Sequence, residues 1–181
     1  MPNPLSMFPG SIDTPRGNRL VAIARYDKGT QLDPALLAWS RVAPEFQDWR
    51  FELHGEHPAR GDLESLITRL AITDSASLMG PTDDVERVLL GSRLSTLPSL
   101  FEGLPTVLAE SLACGEIATD GVDGRLVHLN HVSGLTDAFR ELMGDAVLTA
   151  RMAAAGRRSP ARYAPDTVMD LWEDLITRTL R

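Results

Sequence analysis

The sequence is nearly empty of two residue types. It has a single cysteine, Cys114, and among its 18 basic side chains only Lys28 is a lysine. One cysteine excludes an internal disulfide and fits a reducing compartment. Positive charge is not in excess: the formal net charge is -7, which excludes the basic stripe that a nucleic-acid surface requires. No apolar run approaches the roughly 20 residues of a membrane-spanning helix. The opening "MPNPLSMFPG" lacks the charged-then-apolar form of a signal peptide. These absences lead to the expectation of a soluble cytoplasmic protein whose membrane contact is at most peripheral. What is present, 181 residues with 43% hydrophobic and 24% charged side chains, suits one globular domain with a full core. The lone lysine marks either a position that needs a compact ammonium on a flexible stem or the chance survivor of a drift to arginine.

The order of elements sets the fold class. Residues 1–18, with four prolines and two glycines, read as a leader or linker. "RLVAIAR" (19–25), "WRFELHG" (49–55), "SASLMG" (75–80) and "RLSTLPS" (93–99) read as strands. Helices alternate with them. "DPALLAWSRV" has Asp33 as its expected cap and Pro34 at its first position. "GDLESLITRL" comes second, and "TDDVERVLLG" starts at Thr82 or Asp83. "PTVLAESLACG" follows and is closed by Gly115. After "GRLVHL" come three helical stretches, 132–143, 145–157 and 165–180. Such alternation predicts an α/β, Rossmann-like parallel sheet with helices on both faces.

In such a sheet, ligands bind at the carboxyl ends of the strands. Four loops leave those ends: "RYDKG", "GEHPARG", "GPTDD" and "SLFEGLP". Arg25, Lys28, Gly55, Pro81 and Glu102 are therefore expected along one edge. Two of them are cationic, and the fourth loop opens a helix whose free N–H groups favour an anion. On that helix Leu104, Val107, Leu108 and Leu112 share a face, and Glu110 lies about 140° from its centre. Glu110 reads either as a solvated carboxylate or as a ligand group. Glu102, just before Gly103, reads either as a complement to the helix dipole or as a group beside a close backbone approach.

The segment "PSLFEGLPTVLAESLACG" resembles the signature of the retaining glycosyltransferases of family 4, which have the GT-B fold. Glu102 and Glu110 match that family's E-x7-E pair. "ARYDKG" is similar to its arginine-and-lysine loop, "FELHGEHP" to its strand and glycine loop, and "DGVDGRLV" to its later turn and strand. The leader "PNPL" resembles its interdomain linker. The resemblance implies that residues 19–181 form the C-terminal, donor-binding half of a GT-B protein. It implies a nucleotide diphosphate sugar as the donor of a hexosyl unit, transferred with retention to a hydroxyl acceptor, and no cofactor. Arg25 and Lys28 would meet the diphosphate beside the backbone of Gly103 and Leu104. Glu110 would bind the ribose and Glu102 the sugar hydroxyls, with Gly55 and the Gly80–Thr82 loop, Pro81 included, around the donor. No protein-bound metal is implied.

Two departures from the family pattern bear on activity. The acceptor-binding N-terminal half does not appear in the sequence, so the expected chain is inactive alone. It would need an N-terminal acceptor-binding partner, or it would self-associate; the alternatives are a non-catalytic half-domain and a degenerate remnant. "GEIATDGVDG" also runs almost directly from the helix after Pro105 to the DG turn, so one strand after Gly115 is expected to be missing. In the last helical stretch Val168, Leu171, Trp172, Leu175 and Ile176 form an apolar stripe. The pairs His54/His57 and His128/His131 have a metal-compatible spacing but no carboxylate companion. Cys114 reads as a packed small residue.

Overall fold

The computed structural model describes residues 15–26, 30–56, 58–98 and 120–156, with the single positions 166, 169, 170, 173 and 177. Four parallel strands form one sheet: β1 (Gly17–Ile23), β2 (Arg50–His54), β3 (Ala76–Gly80) and β4 (Ser92–Ser95). Their spatial order is β3-β2-β1-β4. The chain thus moves outward from β1 to β3, then crosses back over β1 to lay down β4. β1 begins two residues inside the segment read as leader, because the Gly17 N–H is held by the Gly91 carbonyl at 3.0 Å.

β1 is buried on both faces, which is why its middle reads as a continuous apolar run: Leu20, Val21 and Ala22 are at most 1% exposed. In register, Leu20 faces Phe51 and Leu94, and Ala22 faces Leu53. This side forms the larger core, under α1 (Leu32–Val42) and α2 (Arg60–Arg69). The opposite side carries Val21 and Ile23 against Val88 and Leu89 of the short α3 (Val85–Leu90). On α1, Leu32, Ala35, Leu36, Trp39 and Val42 recur at helical spacing and are all buried. α4 (Val132–Gly144) packs on α1 and brings in Phe139, Leu142 and Met143; α5 (Ala146–Gly156) follows and buries Met152.

An aromatic relay joins the layers. The Trp39 and Phe51 rings lie 5.6 Å apart in a tilted pair, and Phe51 meets Phe139 edge-on at 6.4 Å. Trp39 places its indole N–H on Ser75 Oγ at 3.1 Å, so its one polar atom is satisfied. On the other side of the sheet, Arg19 Nη2 donates to the Gly91 carbonyl at 2.7 Å. A Cβ at Gly91 would lie 2.3 Å from that nitrogen.

Both helix starts depart from expectation. α1 begins at Leu32, with Gln31 in the capping position in a left-handed conformation (φ 50°) and no side-chain cap. Asp33 lies in the first turn, where its carboxylate complements the dipole, and Pro34 lies there too. α3 is capped by Asp84 rather than by Thr82 or Asp83: Asp84 Oδ1 accepts from the Arg87 N–H at 2.9 Å. Thr82 Oγ1 accepts instead from the Asp84 N–H, at 3.2 Å.

The expected strand around "GRLV" is also absent among the described residues. Residues 120–124 form a turn closed by an isolated bridge between Asp120 and Gly124. The Leu126 N–H goes to Asp120 Oδ1 at 3.1 Å, and Arg125 is drawn to Glu141 of α4 at 2.7 Å. Side chains take the groups that a ladder would have used. The proposed loss of a strand after Gly115 and the expected helix after Pro105 lie outside the described residues, as do Cys114 and the stripe of the last helix. Asp166, Met169, Asp170, Glu173 and Thr177 are helical and exposed, and their spacing places them on one face.

Phe51 is fully buried between two other rings. Phe51→Ala is expected to cost about 3–5 kcal/mol, read as a lower urea midpoint with an unchanged slope.

Candidate functional site

The sheet order creates a switch point. The chain leaving β1 turns toward β2, whereas the chain leaving β4 lies on β1's other side, and a crevice opens between them at the carboxyl ends. Backbone hydrogen bonds beyond the strands hold these ends together. The Ala24 N–H reaches the His54 carbonyl at 3.0 Å, Gly55 N–H reaches Gly80 at 2.9 Å, and Thr96 N–H reaches Val21 at 2.8 Å. Arg25 follows at once and is exposed on this edge. Its carbonyl accepts from Thr30 Oγ1 at 2.7 Å, which closes the loop that leads into α1.

Of the residues expected at the site, the described part therefore brings Arg25, Gly55 and Pro81 into one row, over β1, β2 and β3 in turn. Lys28, Glu102, Gly103, Leu104 and Glu110 lie outside the described residues, as does His57. Gly55 has a steric reason to be glycine: a Cβ there would fall 1.9 Å from the Ala24 carbonyl oxygen. The close approach that this glycine permits is between two strand ends. Pro81 is exposed and follows Gly80, whose φ of 86° suits glycine.

Two cavities lie on this edge, on the side of α1 and α4. The first, about 260 Å³, runs between β4 and the 125–131 segment, with Leu20, Leu94 and Phe139 in its walls and Thr96, His128 and His131 among its polar groups. The second, about 330 Å³, lies between the starts of α1 and α2 and includes Tyr26, Asp33, Asp62 and Asn130. Gln31, Pro34 and Asn130 border both. Neither is lined by Arg25, Gly55 or Pro81. Sequence reasoning did not find these cavities, because each is assembled from segments distant along the chain. The only signal was the His128/His131 pair. Among the described residues no group of three metal-ligating side chains converges.

His54 is a different case. It closes β2, is 8% exposed, and its Nε2 finds no hydrogen-bond partner among the described residues. Glu52 Oε2 is 3.7 Å away, and Arg19 Nη1 approaches the same oxygen at 3.4 Å. Burial pushes the imidazole below its ordinary 6.5; Glu52 opposes that shift, and Arg19 and Arg87 add to it. The described edge thus offers cationic and backbone groups suited to binding, with His54 held neutral beneath it.

The chain belongs to the group 1 glycosyltransferases, whose family model matches residues 17–145. An exopolysaccharide phosphotransferase of Streptomyces coelicolor is 31% identical over 175 residues, covering 89% of this chain and 19% of that protein. The chain spans about a fifth to about half the length of the curated relatives it matches first (19%, 44% and 48%). A variant of S. aureus TarM, solved with fondaparinux, alpha-GlcNAc-glycerol and UDP, superposes with a TM-score of 0.87 at 16% identity, over 94% of this chain and 38% of TarM. The C-terminal domain of the group 1 glycosyl transferase LpcC from Francisella tularensis gives 0.73 at 17%, over 83% of this chain and 88% of that domain. The fold is the Rossmann-like half of a GT-B glycosyltransferase. No helix among the described residues is long and apolar enough to cross a membrane.

Two substitutions test this edge. Gly55→Ala is expected to destabilise by at least about 2 kcal/mol in denaturant titration, because the new methyl must displace the Ala24 carbonyl. For His54, the unfolded chain takes a proton near pH 6.5 while the folded chain resists it. This histidine therefore removes stability as pH falls below that value and has no effect above it. The wild-type melting temperature is expected to drop more than that of His54→Asn between about pH 8 and pH 5; equal drops would exclude a buried neutral imidazole.

Proposed function

We propose that this chain is the donor-binding, C-terminal half of a retaining family 4 glycosyltransferase, which transfers a hexosyl unit from a nucleotide diphosphate sugar to a hydroxyl acceptor. The observation that supports the reading most directly is the row of Arg25, Gly55 and Pro81 on the carboxyl edge, beside the β1–β4 switch point. TarM, a protein of the same fold, was solved with UDP, and the matching LpcC structure is a C-terminal domain.

In this reading Arg25 and Lys28 neutralise the diphosphate, beside backbone N–H groups of Gly103 and Leu104. Glu110 takes the ribose hydroxyls and Glu102 those of the sugar, while the Gly80–Thr82 loop lies at the base. The cationic side chains contribute most as the bond to the leaving diphosphate breaks and its negative charge grows. They leave no need for a protein-bound metal. Transfer requires an acceptor-binding half, in the same polypeptide or in a partner, to exclude water and to position the attacking hydroxyl.

Calorimetric titration with UDP, GDP and ADP tests the site. Arg25→Ala and Lys28→Ala are each expected to weaken the preferred nucleotide by about 10- to 100-fold, as loss of a charged hydrogen bond of about 1.5–3 kcal/mol dictates. Glu110→Ala is expected to weaken it as well. Unchanged affinity in all three variants would overturn the assignment.

A further inference from the structure

The second cavity has no part in the proposed donor site, and its chemistry differs from that site's. It lies between the starts of α1 and α2, with Tyr26, Leu32, Leu63 and Pro34 as apolar surface. Its charged groups are Asp33 and Asp62, each in the first turn of its helix, and no cation is among its lining residues. Both carboxylates complement their helix dipoles. That role does not account for their meeting at one cavity.

Gln31 supplies a second, independent observation. It borders this cavity in a left-handed conformation, and its Oε1 is enclosed and accepts no hydrogen bond among the described residues. An enclosed amide oxygen without a donor is costly, and a ligand O–H entering the cavity is the nearest group able to satisfy it after a turn of the carboxamide. Asn130, also left-handed (φ 58°), brings a second amide to the same rim. Tyr26 brings no free donor, because its hydroxyl is already committed to the Leu53 carbonyl at 2.5 Å.

The lining is therefore rich in acceptors and poor in donors. It repels phosphate and selects a ligand that brings several O–H donors and an apolar face. At about 330 Å³ it is at the lower end for small-molecule sites, roughly 300–1,000 Å³, which suits one or two sugar rings better than a whole nucleotide sugar. We propose that the cavity between the starts of α1 and α2 is a binding site for an uncharged, phosphate-free glycosyl unit, with Asp33, Asp62 and Gln31 accepting from its hydroxyls. The proposal goes beyond the donor reading and does not depend on it.

The test is calorimetric titration of the full chain with methyl α-glucoside, methyl α-mannoside and methyl N-acetyl-α-glucosaminide, with glucose 6-phosphate as the charged comparison. Saturable binding of at least one methyl glycoside is expected, with none of the phosphate. Asp33→Asn, Asp62→Asn and Gln31→Met are each expected to weaken it at least tenfold while leaving UDP, GDP and ADP titrations unchanged. Gln31→Met also removes the enclosed oxygen, so its melting temperature is expected to equal or exceed that of the wild type, which separates lost binding from lost folding. Failure of every methyl glycoside to bind, or binding indifferent to all three substitutions, would overturn the proposal. So would saturation by calcium alone that depends on both aspartates. If a methyl glycoside binds as expected and no nucleotide does, this site stands and the donor reading falls.

Discussion

Everything in this domain depends on the double burial of β1. The strand is hydrogen-bonded to β2 on one side and β4 on the other, and it is packed on both faces. Its two sides lead to different things. Toward β2 the chain simply continues outward through short parallel crossovers. Toward β4 it has first to return across the sheet, and that return leaves a crevice at the carboxyl edge. A central strand with a weaker apolar run would lose the pairing that fixes the crevice as well as core contacts.

The strand ends show how local chemistry completes this plan. Ala24, His54, Gly55, Gly80 and Thr96 extend the hydrogen bonding past the formal strands, so the loops start from a fixed platform. The closeness of Gly55 to the Ala24 carbonyl keeps the first two loops in step. The polar groups below that platform are less settled: Arg19, Glu52 and His54 lie on a face where a parallel sheet ordinarily carries only apolar side chains. The energetic tension of a group 1 glycosyltransferase half-domain is thus concentrated directly under its binding edge.

Strands and helices were legible in the sequence because burial on both faces leaves an unmistakable apolar run, as in "LVAI", and burial on one side leaves a helical stripe, as in Leu32 to Val42. Helix starts were less legible. "QLDPAL" contains both a favourable cap residue and a favourable first-turn residue, and only the left-handed backbone of Gln31 decides that Asp33 lies inside the helix. "TDDV" offers three oxygens, and the choice of Asp84 turns on which one reaches the Arg87 N–H. The row of Arg25, Gly55 and Pro81 could be foreseen, since each follows a strand. The cavities could not, since Tyr26, Asp62 and Asn130 come together only through the packing of three separate connections. "GRLV" misled because apolar content alone does not show that Asp120 and Glu141 will claim its polar groups.

The guanidinium of Arg19 that lies over Gly91 has an evolutionary corollary. Two positions far apart in the chain occupy one small volume, so a relative with alanine or anything larger at the second is viable only with a shorter or differently directed residue at the first. The two sites should therefore drift as a pair, and any transplant of α3 and β4 between homologues must carry the matching N-terminal residue with it.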